Sequence, residues 1–272
     1  MKSILLHMNE DAAQSSRLEA ALVVSRVLGA HLTCCHSIAI SALLVDAYPV
    51  GVWTGFPTDE LRKQSEEAWQ AFRDKWEAKL EREDVPWTWC RLHVDALHGL
   101  RRKALLADLT VVSLTDEDCG PLSSKRFLAG AVTGIIGPVL GIPDTCERFE
   151  PKGQVLVAWD GTEESGRALR ASVPLLKQAE NVLLVTAGEQ VSGREDLRSA
   201  ATYLGYHGLE VEIDELVVRG SDSATILDAA KGINADMIVM GAYGRSRMAE
   251  MMLGGVTQHL LTQRKFPVLF NH

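Results

Sequence analysis

Short apolar runs alternate with amphipathic stretches along the chain. Residues 4–9 are an apolar run followed by helical spacing over 15–28, and residues 155–160 are another, followed by helical spacing over 164–178. Second apolar runs come at 31–38 and 182–187. Alternation of this kind implies βαβ units around a buried parallel sheet. Asn9 precedes Leu18 by the interval that separates Asp160 from Leu169, so the two openings are in register and point to an internal duplication. The first half goes on with a helix over 58–83, whose Leu61, Ser65, Ala68, Phe72, Trp76 and Leu80 share one face, then strands at 87–94, 109–114 and 138–143. Trp69 and Trp76 are read as packing residues at ordinary core spacing. The second half predicts a helix over 193–206, a strand at 210–218, a helix over 223–233, a strand at 236–240, a helix over 248–264 and a closing strand at 266–270. Pro138 and Pro267 open corresponding strands, where a missing N–H is tolerable. Between them, Pro143, Pro151 and Gly153 punctuate a polar linker, which sets expected domains at 1–146 and 152–272. Residues 39–57, with Pro49, Gly51, Trp53, Gly55 and Pro57, read as a long loop or flap of unassigned role.

Composition narrows the function classes. At 272 residues, 46% hydrophobic and 24% charged, the chain suits two globular domains. The net charge of −8 argues against a nucleic-acid partner, which needs a basic face, but not against a small phosphate ligand held by backbone amides. There is no uncharged apolar run long enough for a membrane helix, and the start of the chain reads as a strand and not a signal peptide. A cytoplasmic protein without a membrane partner is expected. The five cysteines suggest neither a disulfide framework nor a zinc ribbon. Cys34, Cys35 and His36, with His31 nearby, could be put forward as a metal cluster. On a strand, however, Cys34 and His36 share a face without Cys35, and buried strand residues are the better reading.

The densest pattern follows the strand at 236–240. Gly241, Gly244, Gly254 and Gly255 punctuate the next stretch. Glycines at a strand's carboxyl end permit tight turns and close approach of backbone to a ligand, and the first amides of the helix beyond Gly255 favour an anion. From the residues alone, simple turns and a phosphate cradle both stay open, and neither GxxxxGK[ST] nor GxGxxG occurs here.

The spacing Gly-x2-Gly-x9-Gly at Gly241, Gly244 and Gly254 resembles the ATP-binding motif of universal stress proteins. The opening strand with Asp160, Gly161, Thr162 and Ser165 also resembles that family, as does the end of the chain through Pro267, Val268 and Leu269. The resemblance implies two tandem Rossmann-like α/β domains of the adenine nucleotide alpha hydrolase kind, each a mostly parallel five-stranded sheet flanked by helices. It implies a site for ATP, or for ADP or AMP, with Mg²⁺ as an optional companion. Carried across, Asp160 would contact the adenosine, Ala158 and Trp159 would line the base pocket, and Thr186 would close it. Met240, Gly241, Tyr243 and Gly244 would border ribose and phosphates, with Arg245 beside them, and Gly254, Gly255, Val256 and Thr257 would hold the outer phosphates.

Two departures from the family pattern matter. Gly255 stands where the family has a Ser or Thr hydroxyl, and Tyr243 where it often has His. The first half departs further: Asn9 replaces Asp160, and Asp116, Glu117 and Asp118 follow the strand at 109–114 in place of glycines. Gly130, Gly134 and Gly137 are read as packing or loosening a helix. The first domain is expected to have lost its site and to act structurally.

The sequence suggests no catalytic residues, and Ser221 reads as a helix cap rather than a nucleophile. Three functions stay open: a nucleotide-binding stress-response regulator, a weak ATPase, and a nucleotide-free interaction protein. The two closing strands are expected to pair within the chain as a pseudo-dimer, with a further homodimer left open.

Overall fold

The computed structural model describes residues 1–37, 58–114, 124–188, 195–218, 220–242 and 265–272. The predicted flap at 39–57, the acidic run at 116–118 and the predicted helix at 248–264 lie outside these. The first half contains β1 (Ser3–Met8), α1 (Gln14–Leu28), β2 (His31–Ser37), α2 (Thr58–Leu80), β3 (Trp87–Leu92), α3 (Ala96–Ala104), β4 (Leu109–Leu114), α4 (Ser124–Gly134) and β5 (Val139–Pro143). The second contains β6 (Gln154–Ala158), α5 (Glu163–Leu176), β7 (Asn181–Ala187), α6 (Leu197–Tyr206), β8 (Glu212–Leu216), α7 (Asp222–Gly232), β9 (Met237–Gly241) and β10 (Val268–Asn271).

All ten strands join one sheet in the order β3-β2-β1-β4-β5-β10-β9-β6-β7-β8. Each half therefore has a Rossmann-like order. Every pairing is parallel except the seam, where β5 and β10 run antiparallel with Leu140 opposite Leu269. The intrachain pairing of the closing strands is thus present, and it covers two edges that would otherwise be open.

The apolar core lies on both faces of the sheet. One cluster holds Leu18, Leu22, Phe72 and Trp76 from the first half and Leu169, Leu176 and Leu204 from the second. The other holds Leu100 and Val132 together with Ile226 and Leu227. Both clusters cross the seam, so the halves share their cores. Cys34 belongs to the first cluster and Cys35 to the second, as strand alternation requires. Under α2, the His36 ring lies tilted at 4.1 Å from Phe72 and stacked at 6.5 Å from Trp69, and Arg91 covers the Trp69 ring at 4.5 Å. Trp69 and Trp76 are buried packing residues, as their spacing predicts.

Three elements differ from the sequence pattern. The helix predicted from residue 193 starts at Leu197, because Asp196 takes the cap position and accepts from the Ser199 amide at 2.6 Å. The strand predicted over 210–218 shortens to Glu212–Leu216, an almost wholly exposed edge strand. Helix α3 is not among the predicted elements. It is nine residues long, and Arg101, Arg102 and Lys103 fill its last turn, so its apolar stripe is only Leu100 and its neighbours. Its partner α4 explains Gly130 and Gly134. A Cβ at Gly130 would lie 2.6 Å from Leu97, and one at Gly134 would collide with Arg101, whose guanidinium donates to the Gly130 carbonyl at 2.8 Å.

Candidate functional site

Strands β6 and β9 are adjacent and parallel, with Ala158 opposite Met240. From β6 the chain proceeds to β7 on one side, and from β9 to β10 on the other. This is a topological switch point, and the crevice outside its carboxyl ends is where open α/β sheets receive ligands.

The loop leaving β6 is tightly built. Trp159 donates its amide to the Val185 carbonyl at 2.8 Å and its indole N–H to the Glu195 carbonyl at 3.0 Å. The Trp159 ring is buried in the core, so its side chain braces the loop. Ala158 packs against the opposite cluster, together with Met240. Asp160 is exposed, and its Oδ1 accepts from the Thr162 amide at 3.1 Å and the Thr162 hydroxyl at 2.6 Å. Gly161 supplies the left-handed turn between them, with φ of 69°. Thr162 then caps α5 by accepting from the Ser165 amide at 3.3 Å. Glu163 and Glu164 follow in the first turn of α5. With Asp160, they make this helix start acidic and already capped, which suits a sugar or base better than a phosphate.

Gly241 closes the other side. A Cβ there would sit 2.5 Å from the Ser165 amide nitrogen and 2.7 Å from the Glu164 carbonyl carbon. Only glycine lets the end of β9 pass so near the first turn of α5. Beyond it, Ala242 donates to the Asn271 carbonyl at 3.0 Å, and the His272 ring lies 3.1 Å from the Ala242 carbonyl. This clasp between the exits of β9 and β10 carries no sequence signal, because it joins residues about thirty positions apart. Thr186 is buried near the end of β7, one residue beyond the Val185 that faces Ala158.

The structure thus gathers Ala158, Trp159, Asp160, Met240 and Gly241 at one end of two neighbouring strands, with Thr186 on the next. Tyr243, Gly244, Arg245, Gly254, Gly255, Val256 and Thr257 lie outside the described residues. Ser221 caps α7, accepting from the Ala224 amide at 3.2 Å.

The equivalent place in the first half is filled. Register sets Ile4 opposite Leu109 and Val155 opposite Met237, so Ser113 stands four residues along β4 as Gly241 does along β9. The buried Arg17 of α1 donates to the Ser113 hydroxyl and forms an ion pair with Asp11 at 3.1 Å. Gln14 accepts from the Asn9 amide at 2.8 Å, and the Asn9 side chain donates to Asp11 at 3.1 Å. The carboxylate missing at Asn9 therefore reappears at Asp11, where Arg17 holds it. Arg17 is not among the residues expected at a site, and its one signal in the sequence is a charge directly before the core-facing Leu18.

Comparison with known proteins agrees with this architecture. Residues 153–271 match the model of the universal stress protein family. Universal stress protein Slr1230 of Synechocystis is 26% identical over 294 residues, covering 99% of both chains. Universal stress protein YxiE of Bacillus subtilis is 29% identical over 143 residues, which is 43% of this chain but 96% of that protein. In fold, the chain is similar to a universal stress protein from Archaeoglobus fulgidus, with a TM-score of 0.75, 18% identity and coverage of 98% of this chain and 97% of that one. One unit the size of each half is thus a whole protein elsewhere, and the paired form also recurs. The second half matches the universal stress protein family, and the whole chain is similar to a protein of that family and consists of two tandem Rossmann-like copies joined through one sheet.

Proposed function

We propose that this protein is a stress-response regulator that binds one adenine nucleotide, ATP or its relatives ADP and AMP, at the carboxyl ends of β6 and β9. The observation that carries the reading is the switch point, where Gly241 and Asp160 stand at the carboxyl ends of neighbouring strands in the half that also bears the Gly-x2-Gly-x9-Gly spacing. Asp160 and the acidic start of α5 suit the adenosine end, and the glycine-rich stretch suits the phosphates, with Mg²⁺ able to accompany them. Gly255 in place of a hydroxyl makes that phosphate site mainly a backbone one. Binding is the function, and any ATP hydrolysis is weak.

The first half serves as a structural partner. The domains divide between Cys146 and Lys152, in the segment joining β5 to β6. No helix among the described residues is long and apolar enough to cross a membrane, and the free thiols suit a cytoplasmic setting.

Titration calorimetry of the full chain with ATP, ADP and AMP tests the proposal, together with mass spectrometry of small molecules released from the purified protein. One adenine nucleotide per chain is expected, with affinity weakened roughly one to two decades by Asp160→Ala. No binding at millimolar nucleotide would favour a nucleotide-free interaction protein instead. Two nucleotides per chain would overturn the structural role of the first half.

A further inference from the structure

The first half places two cysteines side by side at the open edge of the sheet. Cys35 on β2 is directly opposite Cys90 on β3, and β3 is the edge strand. Opposite residues on parallel strands project to the same face. Neighbouring strands lie about 4.8 Å apart, within the Cα separation of roughly 4.4–6.8 Å that a disulfide spans. The two thiols differ in access. Cys35 is fully buried, whereas Cys90 is half-buried. Lys103, in the last turn of α3, and His93 bring positive charge near Cys90.

We propose that Cys90 and Cys35 form a peroxide-responsive dithiol, in which Cys90 is oxidised first and Cys35 resolves it into a disulfide joining β2 to β3. The Cys90 thiolate attacks one oxygen of hydrogen peroxide, the O–O bond breaks, and the departing hydroxide takes a proton and leaves as water. The sulfur of Cys35 then attacks the resulting sulfenic acid. The S–S bond forms, the S–O bond breaks, and the hydroxyl leaves with the Cys35 proton as a second water. Two thiols lose two protons and two electrons to one peroxide, which is reduced to two waters.

The electrostatics support the order of events. A hydrogen bond from Cys35 and the positive charge of Lys103 lower the pKa of Cys90, while the same hydrogen bond and burial raise that of Cys35. The neighbouring Cys34 points to the other face of the sheet, and burial pushes its thiol up to about 12. Cys146 is also raised by burial. Low thiolate content makes both poor competitors.

Peptide mapping of the native full chain after one equivalent of hydrogen peroxide tests this directly. A cross-linked pair containing Cys35 and Cys90 is expected, with the intact mass lower by two hydrogens. Cys34→Ser should give the same product. Cys35→Ser should stop at a Cys90 sulfenic acid that dimedone labels, and before oxidation Cys90 should react with iodoacetamide roughly tenfold faster than Cys146. The proposal is overturned if Cys35 and Cys90 remain free thiols in the peroxide-treated native protein, or if they cross-link only after unfolding. The wild-type map decides this even if a variant fails to fold.

Discussion

Asp108 accepts from the amides of Lys2 and Ser3 at the start of β1, and Asp236 accepts from the amide of Gln154 at the start of β6, at 2.8 Å. In return, Asp108 donates its own amide to Ser3 and Asp236 donates to Gln154, both at 2.8 Å. The two halves therefore share one two-way exchange at the amino ends of their central strands, to which the first half adds the Lys2 amide. At the carboxyl ends they part. Where β9 finishes in Gly241 against a helix capped by Thr162, β4 carries Ser113 against a helix that has Ala13 at the cap position and Arg17 in its first turns. The comparison separates two demands on one fold. The amino ends only have to hold strands together, and both halves do so alike. The carboxyl ends are free to differ, and in the first half a buried ion pair occupies the place where the second half has glycine against helix backbone.

The most damaging way to break this comparison is to strip the ion pair of one partner. Asp11→Ala leaves the Arg17 guanidinium buried without its carboxylate, and a loss of about 3–5 kcal/mol is expected in chemical denaturation. Nucleotide affinity of the second half should be unchanged wherever the chain remains folded. A loss below 1 kcal/mol would mean that the cluster does not support the first half.

Acid should expose the same half next. Burial and the nearby Arg91 lower the pKa of His36 to about 4, and burial, Arg17 and His36 hold His7 well below its ordinary range. Imidazole in the unfolded chain takes up a proton near pH 6.5. Below that, the unfolded state binds protons that the native state refuses. The contribution is thus fully present above pH 6.5 and is lost as pH falls to about 4, by about 3 kcal/mol for His36. Denaturant midpoints measured across this range should fall less steeply for His36→Phe than for the wild type.

Gly241→Ala and Ser113→Gly sharpen the contrast at one structural position. The new methyl of Gly241→Ala meets the α5 backbone, which cannot swing aside as a side chain can, so a loss of about 1–3 kcal/mol is expected together with weakened nucleotide binding. Ser113→Gly removes one hydrogen bond to a charged group and should cost about 1.5–3 kcal/mol, with no nucleotide binding gained. If Gly241→Ala were neutral by thermal denaturation, the close approach would not be what requires glycine there.

The smallest effect belongs to the exposed carboxylate. Asp160→Ala should weaken nucleotide binding by roughly one to two decades in calorimetry with little change in stability, whereas Asn9→Ala should leave binding untouched. Equal effects of the two would erase the distinction between the halves.

The strands could be read from the sequence because parallel strands buried on both faces are nearly continuous apolar runs, as at Leu109–Leu114 and Met237–Gly241. Helix α3 could not, since nine residues with three bases in the last turn leave too short a stripe. At the candidate site, Gly241 stood out as a glycine at a strand's carboxyl end, whereas Ala158 and Asp160 came from the family resemblance; all three lie at the carboxyl ends of β6 and β9. The Arg17 cluster was not legible. A charge in a core makes sense only through its partners, and Ser113 is 96 positions away. Nor does the sequence distinguish a glycine that approaches a ligand from one that approaches a helix, and Gly241 does at least the second.

The antiparallel seam between β5 and β10 has an evolutionary consequence. When two identical chains meet across such a seam, every substitution appears on both sides of the twofold axis, and losing one site means losing both. Joining the copies in one polypeptide gives each side its own codons. A serine can then replace a glycine, and an arginine an alanine, on one side alone. The shared cores that cross the seam let the altered copy keep folding beside the one that retains its glycine.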